Sequence, residues 1–175
     1  MLHASRSDLS HAFCSYCGRP PTVRWRTHAH RVCMRCQLGV ILRAPAGAAP
    51  RYDAPFLIID RQLVVQAVSR SAEVVLSVDE PSGVGTPLRE LLICDNDEVA
   101  LVADLAMAGA EQSDGLELRT VANPEIRLRG RVTCCGPPPA ALLVLTPLAA
   151  HAAAPNGSPA TNGHLAGVGA PDSAA

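Results

Sequence analysis

The chain contains no lysine, few aromatic residues and no long apolar run. All fifteen of its basic residues are arginine, which together with the abundant alanine indicates GC-rich coding and supports no functional inference. A membrane-spanning helix needs about twenty consecutive apolar residues, and no stretch approaches that length. The N-terminus also lacks the basic region and apolar run of a secretion signal. We therefore predict a cytoplasmic protein without a membrane partner.

Short motifs of the common enzyme classes are absent as well. The sequence has no P-loop, no Gly-x-Ser-x-Gly turn and no His-Glu-x-x-His pair. We therefore predict a protein that is not an enzyme and has no catalytic residues.

Four of the seven cysteines form two Cys-x-x-Cys pairs, Cys14 with Cys17 and Cys33 with Cys36, with fifteen residues between the pairs. Each pair can turn both thiolates toward one ion, and about fifteen residues suit a hairpin that returns the chain to it. We predict that the four cysteines bind structural Zn²⁺. Redox-active or merely buried cysteine pairs and a four-sulfur iron site are the alternatives.

The predicted zinc site is closed, because four sulfurs leave no coordination position for water or a substrate. A module this small has almost no apolar core, so the metal would supply most of its folding free energy. We expect Gly18 and Gly39, one after each pair, to relieve the turns by taking positive φ angles. His28 and His30 lie between the pairs and are assigned to the hairpin tip, not to the ligand set.

The four-cysteine module, residues 11–43, resembles a zinc ribbon. Residues 44–52 contain two prolines without apolar periodicity, which is typical of a linker. Residues 149–175 are rich in alanine, glycine, proline, serine and asparagine and almost uncharged, so they cannot bury enough apolar surface to fold. We predict that this C-terminal tail is disordered.

Charge is unevenly shared along the chain. Residues 1–51 hold eight arginines and one acidic residue, for a net charge of +7, whereas residues 52–148 hold seven arginines and fourteen acidic residues, for −7. Because zinc ribbons often bind nucleic acid, the basic module is a candidate to contact phosphates. The alternative is that it docks on its acidic neighbour or on a protein partner. The candidate contact residues are Tyr16, Arg19, Arg24, Trp25, Arg26, Arg31 and Arg35.

An α+β pattern occupies residues 53–148. Two apolar segments, 56–60 and 63–68, predict strands, and Ser69 is placed to cap the helix that follows. A second helix is expected from the acidic residues at 95–97 to Gly109. Three more strands are predicted at 116–121, 126–132 and 140–145. This order fits an antiparallel five-stranded sheet with helices on one face.

This body resembles a PAS domain. The resemblance rests on Phe56-Leu57-Ile58-Ile59-Asp60, on Val65 to Glu73 with its Ala72-Glu73 pair, and on Val84 to Leu92, which matches a Gly-x-x-Leu-x-Glu-Leu-Leu stretch. Ser69 stands where the family usually has asparagine. PAS domains are sensory and interaction modules, often dimeric, with a small-molecule pocket between the sheet and the helices. The resemblance therefore implies a homodimer or a protein partner.

The remaining cysteines and the missing histidines bear on what a PAS-like pocket would hold. Cys94 lacks the surroundings of the light-sensing PAS cysteine, and no histidine falls between residues 31 and 150 to bind haem. We therefore expect neither flavin nor haem.

Cys134 and Cys135 are adjacent at a strand end, so their side chains should face opposite sides of the sheet. Either they are sensing thiols, or one of the two cysteines is buried and packs as a small apolar side chain while the other is exposed.

Together these features predict a non-enzymatic sensory or adaptor protein that joins a zinc ribbon to a PAS-like domain. Its output would be ligand sensing or contact with another protein. A nucleic-acid-binding transcriptional regulator that reads DNA or RNA through the ribbon is one alternative. A thiol redox switch that releases zinc on oxidation is another.

Overall fold

The computed structural model describes residues 10–21, 31–109 and 113–148. Several residues considered above lie outside these ranges, namely Arg24, Trp25, Arg26, His28, His30 and the whole segment 149–175. The structural account below concerns the described residues.

The strands form two antiparallel sheets. The smaller sheet pairs β1 (Ser10–Cys14) with β2 (Ile41–Pro45), so that Cys14 lies opposite Ile41. The larger sheet has six strands, which are β3 (Phe56–Ile59), β4 (Val65–Val68), β5 (Leu92–Ile93), β6 (Ser113–Thr120), β7 (Arg127–Cys135) and β8 (Ala140–Pro147). Their spatial order is β4-β3-β8-β7-β6-β5, with β8 and the longest strand, β7, at the centre.

The helices all lie between β4 and β6. They are α1 (Arg70–Leu76), α2 (Glu80–Gly83), one turn of 3-10 helix (Leu88–Glu90) and α3 (Asn96–Met107). The Ser69 hydroxyl caps α1 by accepting from the Ala72 amide, and it also accepts from the Phe56 amide at 2.9 Å. This double contact ties the start of α1 to β3. Asp95 caps α3 by accepting from the amides that follow it.

The predicted α+β class is confirmed, with one strand more than expected. Leu92 and Ile93 pair with Thr120 and Arg119 and add a short strand at the edge of the sheet. A strand of two residues shows no alternation by which the sequence could predict it. The helix capped by Ser69 ends at Leu76, where Ser77 takes a left-handed φ of 54°.

One face of the large sheet packs against the helices. The buried side chains of this inner core are aliphatic, and they come from both the strands and the helices: Leu57, Ile59, Val65, Val68, Ala72, Leu76, Leu88, Leu92, Val99, Ala103, Ala106, Leu116, Leu118, Leu128, Val132, Ala141, Leu143 and Leu145. The inner core therefore occupies the space where the PAS resemblance places a small-molecule pocket.

The opposite face of the same sheet is partly covered by the four-cysteine module. A second apolar cluster joins β1 and β2 to the outer side chains of the large sheet: Phe13, Leu42, Ala44, Phe56, Ile58, Ala67, Cys135, Ala140, Leu142 and Val144. The Phe13 ring meets the Phe56 ring edge to face, with centroids 5.7 Å apart and planes at 85°. Arg43 and Gly136 exchange backbone hydrogen bonds of 2.7 and 3.0 Å. The module is therefore docked on the body, mainly through apolar contacts.

None of the helices within the described ranges combines the length and apolar character needed to cross a bilayer.

Candidate metal centre

The structure brings the four predicted ligands together. Cys14 ends β1, Cys17 follows in the next turn, and Cys33 and Cys36 lie in the turn that precedes β2. Their four Sγ atoms all lie within 4.8 Å of one another. Cys14 and Cys33 are buried, whereas Cys17 and Cys36 are half-buried. Antiparallel pairing of β1 with β2 is what brings the second pair to the first.

The sulfur separations fit a tetrahedral metal site. The Sγ atoms of Cys14 and Cys36 are 3.5 Å apart, and those of Cys17 and Cys33 are 4.0 Å apart. Four ligands at a Zn–S distance of about 2.3 Å would be separated by about 3.8 Å. A disulfide would require about 2.05 Å, so these cysteines are free thiols. Four thiols so arranged can hold a metal ion.

Each cysteine pair is held by the same kind of turn. The Gly18 amide donates to the Cys14 carbonyl at 3.0 Å, and the Gln37 amide donates to the Cys33 carbonyl at 2.8 Å. The residue after each pair has a positive φ, +67° at Gly18 and 59° at Gln37. The expectation for Gly18 is thus confirmed.

The expectation for Gly39 was wrong, because Gln37 supplies the positive φ after the second pair. Gly39 has a different role. A Cβ atom at this position would lie 2.5 Å from Cys14 Sγ and 2.6 Å from the Tyr16 amide nitrogen. The absence of a side chain therefore lets the backbone of the second turn approach the sulfur of the first. Spacing alone could not distinguish this requirement from a turn requirement.

Backbone amides surround the sulfurs unequally. The amides of Tyr16 and Cys17 approach Cys14 Sγ at 3.4 and 3.5 Å. Burial nevertheless raises the pKa of the Cys14 thiol, and it also raises the pKa of Cys17. The raised pKa values favour the protonated thiols. A bound cation would instead favour the thiolates, since these are the form that ligates a metal.

Cys36 differs from the other ligands. Burial acts to raise its pKa, but hydrogen bonds from the backbone amides of Gly39 and Leu38, with the neighbouring cysteine side chains, lower the pKa to about 7. N–H donors favour the charged form of a thiol. Of the four sulfurs, Cys36 is therefore the one whose surroundings favour the thiolate that metal ligation requires.

The first cysteine turn is also connected to α1 of the body. Tyr16, inside the first pair, accepts a 2.9 Å hydrogen bond at its carbonyl from the Arg70 amide. Its hydroxyl donates to Glu73 Oε2 at 3.1 Å, and Glu73 Oε1 accepts from the Glu80 amide at 2.8 Å. The first cysteine turn is thereby linked to α1 and α2. Periodicity and spacing could not predict this link, because Tyr16 and Glu73 are 57 residues apart.

The other three cysteines lie away from this cluster. Cys135 is buried beneath the four-cysteine module, and burial raises its pKa to about 12. Cys134 is half-buried, in agreement with the expected alternation along β7. Burial and the charge of Asp95 raise the pKa of Cys94. The pKa shifts of Cys94 and Cys135 disfavour the thiolate form that a reactive sensing cysteine needs.

The basic residues proposed to contact nucleic acid are only partly described. Arg19 lies over the Tyr52 ring, 5.1 Å from its centroid, and so is engaged within the molecule. Arg31 and Arg35 are exposed on the module. Nucleic-acid binding by this module stays a prediction.

Comparison with known proteins finds structural similarity to PAS domains. No protein-family model matches the chain, and no curated protein matches it either. The PAS domain of nitrogen regulation protein NR(II) from Vibrio parahaemolyticus is 16% identical, with a TM-score of 0.45 over 55% of this chain and 90% of that one. A PAS domain of a protein from Colwellia psychrerythraea is 12% identical, with a TM-score of 0.47 over 55% of this chain and 86% of that one. Both belong to the family that residues 53–148 were expected to resemble.

Proposed function

We propose that the four-cysteine cluster is a structural Zn²⁺ site. The observation that carries this proposal is the convergence of the four Sγ atoms, all within 4.8 Å of one another, with separations of 3.5 Å for Cys14–Cys36 and 4.0 Å for Cys17–Cys33. Four sulfurs in a compact tetrahedral arrangement are typical of zinc, which has no redox requirement. Thiolate ligands persist in a reducing compartment, which supports a cytoplasmic location.

The function that this architecture best supports is that of a non-enzymatic adaptor or sensory protein. The inner core is filled by aliphatic side chains, which favours protein contact over the binding of a polar small molecule. Because the four-cysteine module is docked on the outer face of the sheet, a bound metal ion would hold the cysteine turns in place on that surface and so stabilise it for contact with another protein. Within the described ranges, the cysteine cluster is the one group of three or more ligating side chains. That group has no open position for catalysis.

Mass spectrometry of the intact protein tests this function. The native mass should exceed the denatured mass by one zinc per chain, and the protein should form a homodimer or capture a protein partner. Cys17→Ser should abolish the zinc increment, whereas Cys94→Ser, a half-buried cysteine outside the cluster, should keep it. A folded, metal-free wild-type monomer that captures no protein partner would overturn the proposal. A further tightly held small molecule would replace the adaptor function with ligand sensing.

A further inference from the structure

The outer face of the large sheet is divided into two unlike parts. The part formed by β3, β4, β8 and the end of β7 is covered by the four-cysteine module. The part formed by β6 and the start of β7 carries charged side chains instead. We call this second part the arginine face, and its residues are Arg119, Arg127, Arg129 and Arg131.

The arginine face contains more positive charge than its neighbours neutralise. Arg119 and Arg127 are direct cross-strand partners, an arrangement in which like charges destabilise a sheet. Glu117 reaches Arg127 at 3.6 Å, with both side chains more than half exposed. Glu117 is also the direct cross-strand partner of Arg129, although its described ion pair is with Arg127. Among the side chains that the structure describes, no carboxylate lies within ion-pair distance of Arg119 or Arg129, so one glutamate serves three arginines. The repulsion is therefore only partly relieved within the molecule.

Arg131 marks the border with the covered part of the sheet. Its guanidinium donates to the Gly47 carbonyl at 3.2 Å, and its backbone pairs with that of Asp114. Arg131 is thus held in place by the chain that leaves β2. The two arginines that make no described ion pair, Arg119 and Arg129, lie on neighbouring strands.

A groove of about 230 Å³ adjoins this face at the edge of the sheet. Arg119, Arg127 and Glu117 form its charged part. Ile93, which is 48% exposed, and Leu148 contribute apolar surface to it. A ligand that carries negative charges beside one apolar side chain would match both parts.

The surroundings favour a protein segment over a nucleic acid. The whole chain has a net charge of −1, and residues 52–148 carry −7, so the positive charge of the arginine face is local and too small to hold an extended polyanion. The strands β5, β6 and β7 contain no aromatic residue on which bases could stack. A short acidic peptide needs only the local positive charge, and guanidinium groups bind carboxylates in a two-point geometry.

We propose that the arginine face is a docking surface for a short acidic segment of a partner protein, with an apolar residue of that segment in the adjoining groove. This inference deepens the adaptor function proposed above and rests on it. It assigns one surface and one partner chemistry to that function.

The test is peptide binding to the zinc-loaded full chain, followed by fluorescence anisotropy. The probe is a fluorescein-labelled peptide of glutamates with one central leucine. The double variant Arg119→Gln, Arg129→Gln should bind it at least about tenfold more weakly, since each lost charge-assisted contact contributes a factor of several. The matched control is Arg61→Gln, Arg89→Gln, which removes the same charge from exposed positions outside β6 and β7 and should bind as wild type does.

Three outcomes would overturn the inference. The wild-type chain could fail to bind the peptide, or both double variants could lose affinity equally, as a nonspecific charge effect predicts. A labelled oligonucleotide could also bind more tightly than the peptide and lose affinity only in the Arg119, Arg129 variant, which would assign the face to nucleic acid. In each case the bound zinc and the oligomeric state of the same sample, both read from its native mass, show separately whether the proposed adaptor function still holds.

Discussion

The four-cysteine module and the PAS-like body are stabilised in different ways, although they share one apolar interface. In the described residues, the module contributes Phe13 and Leu42 to that interface, is tied to the body by the hydrogen bonds of Tyr16 and Arg43, and brings its four sulfurs together. The body has a separate inner core of eighteen buried aliphatic side chains. A small module without its own core needs a metal or a neighbouring surface to stay folded. This module has the neighbouring surface, and its four cysteines could hold the metal.

The comparison predicts that metal removal affects the two regions unequally. Chelation of zinc should unfold the cysteine turns, since zinc binding contributes about 10 kcal/mol or more to the folding of small zinc modules. The amides of β1 and β2 should lose hydrogen-exchange protection, whereas those of β3 and β8 should retain most of theirs. Hydrogen exchange with mass spectrometry of the full chain, before and after chelation, measures both. Equal loss in the two regions would show that the body also depends on the metal.

The interface itself can be weakened without touching a sulfur. Phe13 is 1% exposed and packs edge to face on Phe56. Phe13→Ala should lower the free energy of unfolding by about 3–5 kcal/mol, the usual cost of removing a buried phenylalanine. The measurement is urea unfolding of the zinc-loaded chain, with zinc content determined at each stage.

Phe13→Leu is the matched control for that experiment. It keeps most of the buried apolar volume and removes the ring contact, so its loss should be much smaller than that of Phe13→Ala. Zinc should remain bound in both variants at low urea. If Phe13→Ala released zinc in the absence of urea, the metal site would depend on the interface, and the two regions would not be stabilised independently.

Local patterns in the sequence predicted the ligands and most of the elements, but not the contacts between regions. The two Cys-x-x-Cys pairs were sufficient to predict the cluster because each pair forms a local turn and the spacing suits a hairpin, and strands such as β8 were evident from an apolar run. Alternation along β7 places its three arginines on one face. Arg119 joined them only through the register of β6 with β7. Docking of Phe13 on Phe56 depends on which apolar surfaces meet, which periodicity does not encode.

The link between Tyr16 and α1 provides the smallest and most specific test of the comparison. The Tyr16 hydroxyl donates to Glu73, and Glu73 in turn accepts from the Glu80 amide. Tyr16→Phe removes the hydroxyl alone and should lower the free energy of unfolding by about 1 kcal/mol, as for a single hydrogen bond. Zinc affinity should be unchanged, because the Tyr16 backbone that approaches the sulfur is retained.

Glu73→Ala completes a double-mutant cycle for this link. It removes the carboxylate that accepts from Tyr16, so the single variants Tyr16→Phe and Glu73→Ala together with the double variant should reveal the coupling energy between the two side chains. A coupling near zero would mean that the hydroxyl contact adds nothing to the backbone bond between Arg70 and Tyr16. A coupling of about 1 kcal/mol, together with slower exchange of α1 amides in wild type than in Tyr16→Phe, would show that the metal-binding turn stabilises the start of the first helix.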